Sequence, residues 1–196
     1  MSKHSLETIK PEDSALLLVD VQEKLLPRID RGSDVTRQMQ KVIKGAQALQ
    51  IPIIVTEQYP QGLGSTVPPL KASLSPNQVY LPKTTFSCMQ DTKIAETILS
   101  LPVKNWILIG IEAHICILQT ARDLLREGKQ VIAVNDAMSS RSIFDFSTAV
   151  AEMRDCGARI TSTETILFEL LKDAKHPQFK EVSKLFKEQQ ACCSAG

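Results

Sequence analysis

The chain has 196 residues, 43% hydrophobic and 23% charged, which is material for one sizeable core and too little length for two comfortable domains. Twenty-three basic residues stand against twenty-two acidic ones, so there is no electrostatic case for nucleic acid. No apolar run approaches the roughly 18 to 20 residues of a membrane span.

The N-terminal stretch MSKHSLETIKPEDS has no apolar h-region and carries Glu7, Glu12 and Asp13, so neither a secretory signal nor a transit peptide is expected. Five cysteines (88, 116, 156, 192 and 193) form no even-numbered framework, and Cys193-Ser194-Ala195-Gly196 is a poor prenylation frame. The three histidines, His4, His114 and His176, lie far apart, and there is no CxxC pair. A cytoplasmic, reduced protein with no metal and no cofactor is the expectation.

Ser14 to Asp20, SALLLVD, predicts a strand buried on both faces. Residues 34–49 place Val35, Met39, Val42, Ile43, Ala46 and Leu49 on one helical stripe. Residues 51–56, IPIIVT, predict a second strand. From Glu57 to about Gln78 the chain is rich in Pro, Gly and Ser and without period, predicting one long loop of the kind that serves as a lid or binding segment.

Residues 79–82 form a short strand, 90–101 a helix and 105–110 a strong strand, NWILIG. A helix over 116–127 closes at Gly128. Strand 130–135, helix 144–155, strand 158–161, helix 163–172 and a polar terminal helix after His176-Pro177 complete the chain. This alternation predicts repeated βαβ units and a Rossmann-like parallel sheet covered on both faces. Ligands bind such folds outside the carboxyl ends of the strands.

Three residues stand at those ends. Asp20 follows the first strand; from this stretch alone it reads first as a helix cap or loop carboxylate and second, beside a thiol or cation, as a base. Lys83 follows Pro82 after the short strand; alone it would be an ordinary surface charge. Cys116 heads the helix after NWILIG, where exposed amides and the dipole favour a thiolate, although a cysteine among Ile and Leu is more often a small core residue. Cys88 lies in a loop near Lys83, Cys156 at a helix end and Cys192 and Cys193 in the tail. His114 precedes Cys116 by two residues on a turn, so its ring is expected to point elsewhere.

The motifs LLLVDVQEKL (16–25), PKTTFS (82–87) and IGIEAHICILQTARDLL (109–125) resemble the isochorismatase-like cysteine hydrolases. TEQYPQGLG (56–64), DA-x-SSRS (136–142) and HPQFKE (176–181) resemble the eukaryotic isochorismatase domain-containing proteins. The resemblance implies a three-layer α/β domain over 12–188 with a six-stranded, mostly parallel sheet, leaving 1–11 and 189–196 as tails. It also implies a catalytic Asp–Lys–Cys triad at Asp20, Lys83 and Cys116, and a cis peptide between Ile111 and Glu112. The backbone N–H groups of Glu112 and Cys116 would form an oxyanion hole, and the protein would assemble as a dimer or larger ring. Where nicotinamidases carry Asp-x-His for a metal, this chain has Thr56-Glu57-Gln58-Tyr59, and Ala113-His114 replaces the Thr-Asp of many relatives.

The expected function is hydrolysis of a C–N bond in a small amide-like molecule, with Gln22, Tyr59, Phe86 and Ile143 as candidate pocket residues. No nucleic acid or membrane partner is expected. The rival is a non-catalytic binding protein that retains the fold. A nucleotide-binding role is disfavoured because no Gly-rich phosphate loop follows the first strand.

Overall fold

The computed structural model describes residues 8–187. Six strands, β1 (Ser14–Val19), β2 (Ile53–Gln58), β3 (Tyr80–Lys83), β4 (Asn105–Ile111), β5 (Gln130–Ser139) and β6 (Arg159–Thr161), form one sheet in the order β3-β2-β1-β4-β5-β6. Every pairing between them is parallel. Parallel neighbours require crossovers, and the helices that supply them cover both faces.

Alternation along each strand divides the apolar residues between two cores. Leu16, Leu18, Ile107, Ile109, Ile132 and Val134 point to one face, under α1 (Gly32–Ala48), α7 (Thr163–Leu171) and α8 (Phe179–Lys187). Leu17, Val19, Trp106, Leu108 and Ala133 point to the other, under α4 (Thr92–Ser100), α5 (Leu118–Arg126) and α6 (Ile143–Asp155). The stripe expected on α1 is buried, with Met39 and Ile43 fully enclosed. Ile9 packs into the first core, so ordered packing begins ahead of residue 12. The 189–196 tail lies outside the described residues, as do Cys192, Cys193 and the end of the expected terminal helix.

The stretch expected as one loop is more structured. Glu57 and Gln58 extend β2, and two single-turn helices follow, α2 (Pro60–Leu63) and α3 (Pro68–Lys71). Each has proline in its first turn, where the missing N–H costs nothing. Strand β5 runs on to Ser139 because its register against β4 shifts: Leu108 pairs with Ala133 but Gly110 with Met138. Asp136, in the bulge, accepts hydrogen bonds from the Thr163 N–H (2.8 Å) and Oγ1 (2.9 Å) and so caps α7.

At the end of β4 the backbone approaches β1 closely. Gly110 has φ +143°, and a Cβ there would meet the Val19 carbonyl oxygen at 2.3 Å. Gly110→Ala is therefore expected to lower stability by roughly 3 kcal/mol, combining backbone strain with a steric clash in a packed interior. Urea unfolding checks this, and a loss below about 1 kcal/mol would show that β1 and β4 have room to part.

Candidate active site

The carboxyl ends of β3, β2, β1 and β4 bring the three singled-out side chains together. Val19 pairs with Thr56 on one side and with Gly110 on the other, and Gln58 pairs with Lys83. Asp20, the residue after β1, turns into the left-handed region (φ +55°), which a short polar side chain tolerates better than most. Lys83 reaches from β3 across β2, and its Nζ donates to Asp20 Oδ2 at 2.6 Å. The Cys116 thiol lies close enough to the same carboxylate for its charge to act on the sulfur. All three are buried: Asp20 is 1% exposed, Lys83 2% and Cys116 4%.

The ammonium is saturated. Besides Asp20, Lys83 Nζ donates to Gln58 Oε1 (2.6 Å) and to the backbone carbonyls of Thr85 (3.1 Å) and Phe86 (3.2 Å). Four acceptors compete for three protons. Burial pulls the Lys83 pKa down, but Asp20, then Cys88 and Cys116, outweigh it and leave the pKa above its usual value. Lysine therefore stays charged at neutral pH.

The thiol behaves in the opposite sense. Burial first, then the Asp20 charge, drive the Cys116 pKa well above the ordinary thiol value, and the opposing pull of Lys83 is too small to compensate. Sequence position alone predicted a depressed thiol at a helix head. The structure instead places Cys116 in a π-type turn, Ala113–Ile117, with α5 starting only at Leu118. The resting site is an ion pair beside a neutral thiol.

The turn departs from expectation in two further respects. No cis peptide bond occurs among the described residues, so the Ile111–Glu112 bond is trans. The chain reverses instead through positive φ at Gly110 and at Glu112 (φ +54°). The Cys116 N–H, expected to face an oxyanion, donates to the Glu112 carbonyl at 3.1 Å. The Glu112 side chain is held by Arg141, whose Nε and Nη2 lie 2.8 and 3.1 Å from its two oxygens. His114 points away from the thiol, as expected, with Nδ1 3.0 Å from Ser140 Oγ.

Of the candidate pocket residues, Tyr59, Phe86 and Ile143 are about half exposed, on the loops beyond β2 and β3 and at the start of α6, with Phe144 more exposed beside them. Gln22 is fully buried and is no wall. Its Nε2 donates to the carbonyls of Gln58 (2.9 Å) and Gly64 (2.7 Å), and its Oε1 accepts from the Gln58 N–H (2.7 Å). Glu57 Oε1 adds bonds to the Thr66 N–H (2.7 Å) and Oγ1 (2.8 Å), so the segment after β2 is strapped down at both ends.

Sequence inspection left three contacts unassigned. Thr56 Oγ1 donates to Asp20 Oδ1 at 2.7 Å. Gln58 accepts from Lys83, as above. Cys88, set aside as a loop residue, is fully buried with Sγ 3.9 Å from Thr56 Oγ1, and burial followed by the Asp20 charge pushes its pKa up to about 11. Thr56 and Gln58 occupy the carboxyl end of β2, so the strand-end rule that selected Asp20 and Lys83 also pointed to them. Among the described residues no group of three or more His, Cys, Asp or Glu side chains could hold a metal ion, and no helix is long and apolar enough to cross a membrane.

Residues 14–165 match the isochorismatase domain. The chain is 43% identical over 188 residues to mouse (Mus musculus) isochorismatase domain-containing protein 2A, covering 95% of this chain and 89% of that protein. Among solved structures, a protein described as the MAR1 ribonuclease of Caenorhabditis elegans superposes with a TM-score of 0.87 at 44% identity, covering 92% of this chain and 93% of the other. The Escherichia coli YcaC gene product, described as an octameric hydrolase of unknown specificity, shares the fold with a TM-score of 0.82 at 21% identity over 94% of this chain and 97% of its own. The six-stranded parallel sheet, the order of motifs along it and these likenesses agree, and the chain belongs to the isochorismatase family.

Proposed function

We propose that the protein is a thiol-dependent hydrolase that cleaves a C–N bond of a small amide-like substrate. One observation carries this reading: a single buried carboxylate, Asp20, accepts a hydrogen bond from Lys83 and acts electrostatically on the Cys116 thiol. Because the thiol rests protonated, reaction begins with transfer of its proton to Asp20 as sulfur attacks the carbonyl carbon. The proton then passes from Asp20 to the leaving amine. Asp20, charged again, takes a proton from water, which attacks the thioester and releases acid and thiol.

Lys83 remains charged throughout, steadying whichever of sulfur or carboxylate carries the negative charge. The backbone N–H groups of Glu112 and Cys116 are the proposed oxyanion donors. For Cys116 this requires exchanging the Glu112 carbonyl for the substrate oxygen.

A second reading is favoured by the C. elegans likeness, since that protein is described as a ribonuclease. A groove of about 800 Å³ beside α8 carries Lys175, Lys180, Lys184 and Lys187. It lies on the α1–α7 side of the sheet, whereas Cys116 belongs to the opposite core, so a strand of RNA held there would not meet the buried thiol. Incubating labelled RNA with the wild type and with Cys116→Ala separates the two readings. RNA cleavage would support the second, and thiol-dependent release of ammonia or amine from a panel of small amides the first.

Cys116→Ala is expected to abolish amide hydrolysis with thermal stability nearly unchanged, and retained turnover would remove Cys116 from the reaction. Asp20→Asn and Lys83→Met each leave a buried partner uncompensated and are expected to cost roughly 3 kcal/mol or more of stability as well as turnover. Their thiols should diverge: Lys83→Met raises the Cys116 pKa further and slows iodoacetamide alkylation, while Asp20→Asn lowers it and leaves alkylation unchanged or faster. Alkylation rates that match the wild type in both variants would show that the charges do not act on this sulfur.

Self-association is also proposed, on the octameric description of the E. coli relative and the exposed Tyr59, Ile143 and Phe144 at the rim. Light scattering at micromolar concentration should exceed the 21.7 kDa of one chain, and a monomer mass would contradict it.

A further inference from the structure

The base in this mechanism must be both correctly aimed and hydrogen-bonded as a charge in a closed, apolar site. We infer that Thr56 is the positioning residue that does both, through a hydrogen bond from its hydroxyl to Asp20 Oδ1; this rests on the proposed role of Asp20 as base. The bond is short, 2.7 Å, and wholly buried, with Thr56 0% and Asp20 1% exposed.

Three features make the direction of this bond unambiguous. Asp20 is ionised against Lys83, so it only accepts. Thr56 has one hydroxyl proton, and its oxygen faces Cys88 Sγ at 3.9 Å, where a protonated thiol donates into the lone pair. The hydroxyl proton is thereby directed to Oδ1. The backbone repeats the attachment, because the Asp20 N–H donates to the Thr56 carbonyl at 3.2 Å. Asp20 is thus tied to β2 by side chain and main chain at the point where its own φ turns positive.

Thr56 occupies Oδ1 and Lys83 occupies Oδ2. With both oxygens engaged the carboxylate plane is fixed relative to the strands around it. A donor to the ionised form also shares its negative charge, so Thr56 moderates the field that Asp20 exerts on the thiol.

The test reads Asp20 through the sulfur and needs no substrate. In the wild type, the rate of Cys116 alkylation by iodoacetamide, followed by peptide mass spectrometry, should be slow near neutral pH and rise only in alkaline solution, because burial and the Asp20 charge disfavour the thiolate. Thr56→Val, which keeps volume and β-branching but loses the donor, leaves the Asp20 charge unshared and is expected to slow alkylation at a fixed pH by up to about tenfold. Thr56→Ser, which keeps the hydroxyl, should restore the rate even if packing loss lowers the melting temperature.

A Thr56→Val alkylation rate that equals the wild type, or a Thr56→Ser rate as slow as the valine one, overturns the role of Thr56. Asp20→Asn distinguishes this from failure of the underlying mechanism. If Asp20→Asn alkylates as fast as the wild type or faster, Asp20 is the group being read whatever Thr56 does; if it alkylates more slowly, Asp20 is not that group and both ideas fall.

Discussion

A lysine ammonium and a carboxylate 2.6 Å apart, both shut away from water, form the contact on which the rest of this molecule is arranged. Removing two charges from water costs several kcal/mol per ion, and attraction offsets this only when the remaining protons and lone pairs are also satisfied. The fold meets that condition from four neighbouring elements. Strand β1 delivers Asp20, β2 supplies Thr56 and Gln58, β3 supplies Lys83, and the loop beyond β3 turns two carbonyls back onto the ammonium. The parallel register that levels these strand ends is a requirement of the charge pair as much as of the core.

The pair also explains the state of the thiol. A buried cysteine beside a lone lysine would ionise; beside a lysine already committed to a carboxylate it does not, because the carboxylate is the nearer claim on positive charge. Burial and Asp20 therefore leave Cys116 protonated, and the same carboxylate that suppresses the thiolate is positioned to receive its proton. Such a site holds sulfur in its less nucleophilic, protonated form. It is consistent with a hydrolase in which proton transfer and attack are coupled, in place of one that stores a free thiolate.

That Asp20, Lys83 and Cys116 lie at one end of the sheet was legible in the sequence because each ends or follows a strand, and the strand-end rule converts that into proximity. The two-sided burial of β1 and the stripe on α1 were legible for the same reason: their periods are long enough to stand out. The segment after β2 was not, because α2 and α3 are single turns, too short for any period. The reach of β5 to Ser139 depends on a register shift against β4 that no local pattern signals. Cys88 was misjudged since its loop position concealed a location between α4 and α5, where its N–H bonds Thr120 Oγ1 at 2.9 Å. Family likeness implied a cis bond at Ile111–Glu112, whereas here Gly110 and Glu112 carry the reversal through positive φ.

The central claim is that Cys116 rests as a neutral thiol beside an intact Asp20–Lys83 pair. Ultraviolet thiolate absorbance, compared between the wild type and Cys116→Ala across pH, measures this directly. The account predicts no difference between the two proteins at neutral pH, with a thiolate contribution from Cys116 emerging only in strongly alkaline solution. A full thiolate difference at neutral pH would show that Lys83 serves the sulfur first, and that the carboxylate does not govern the site.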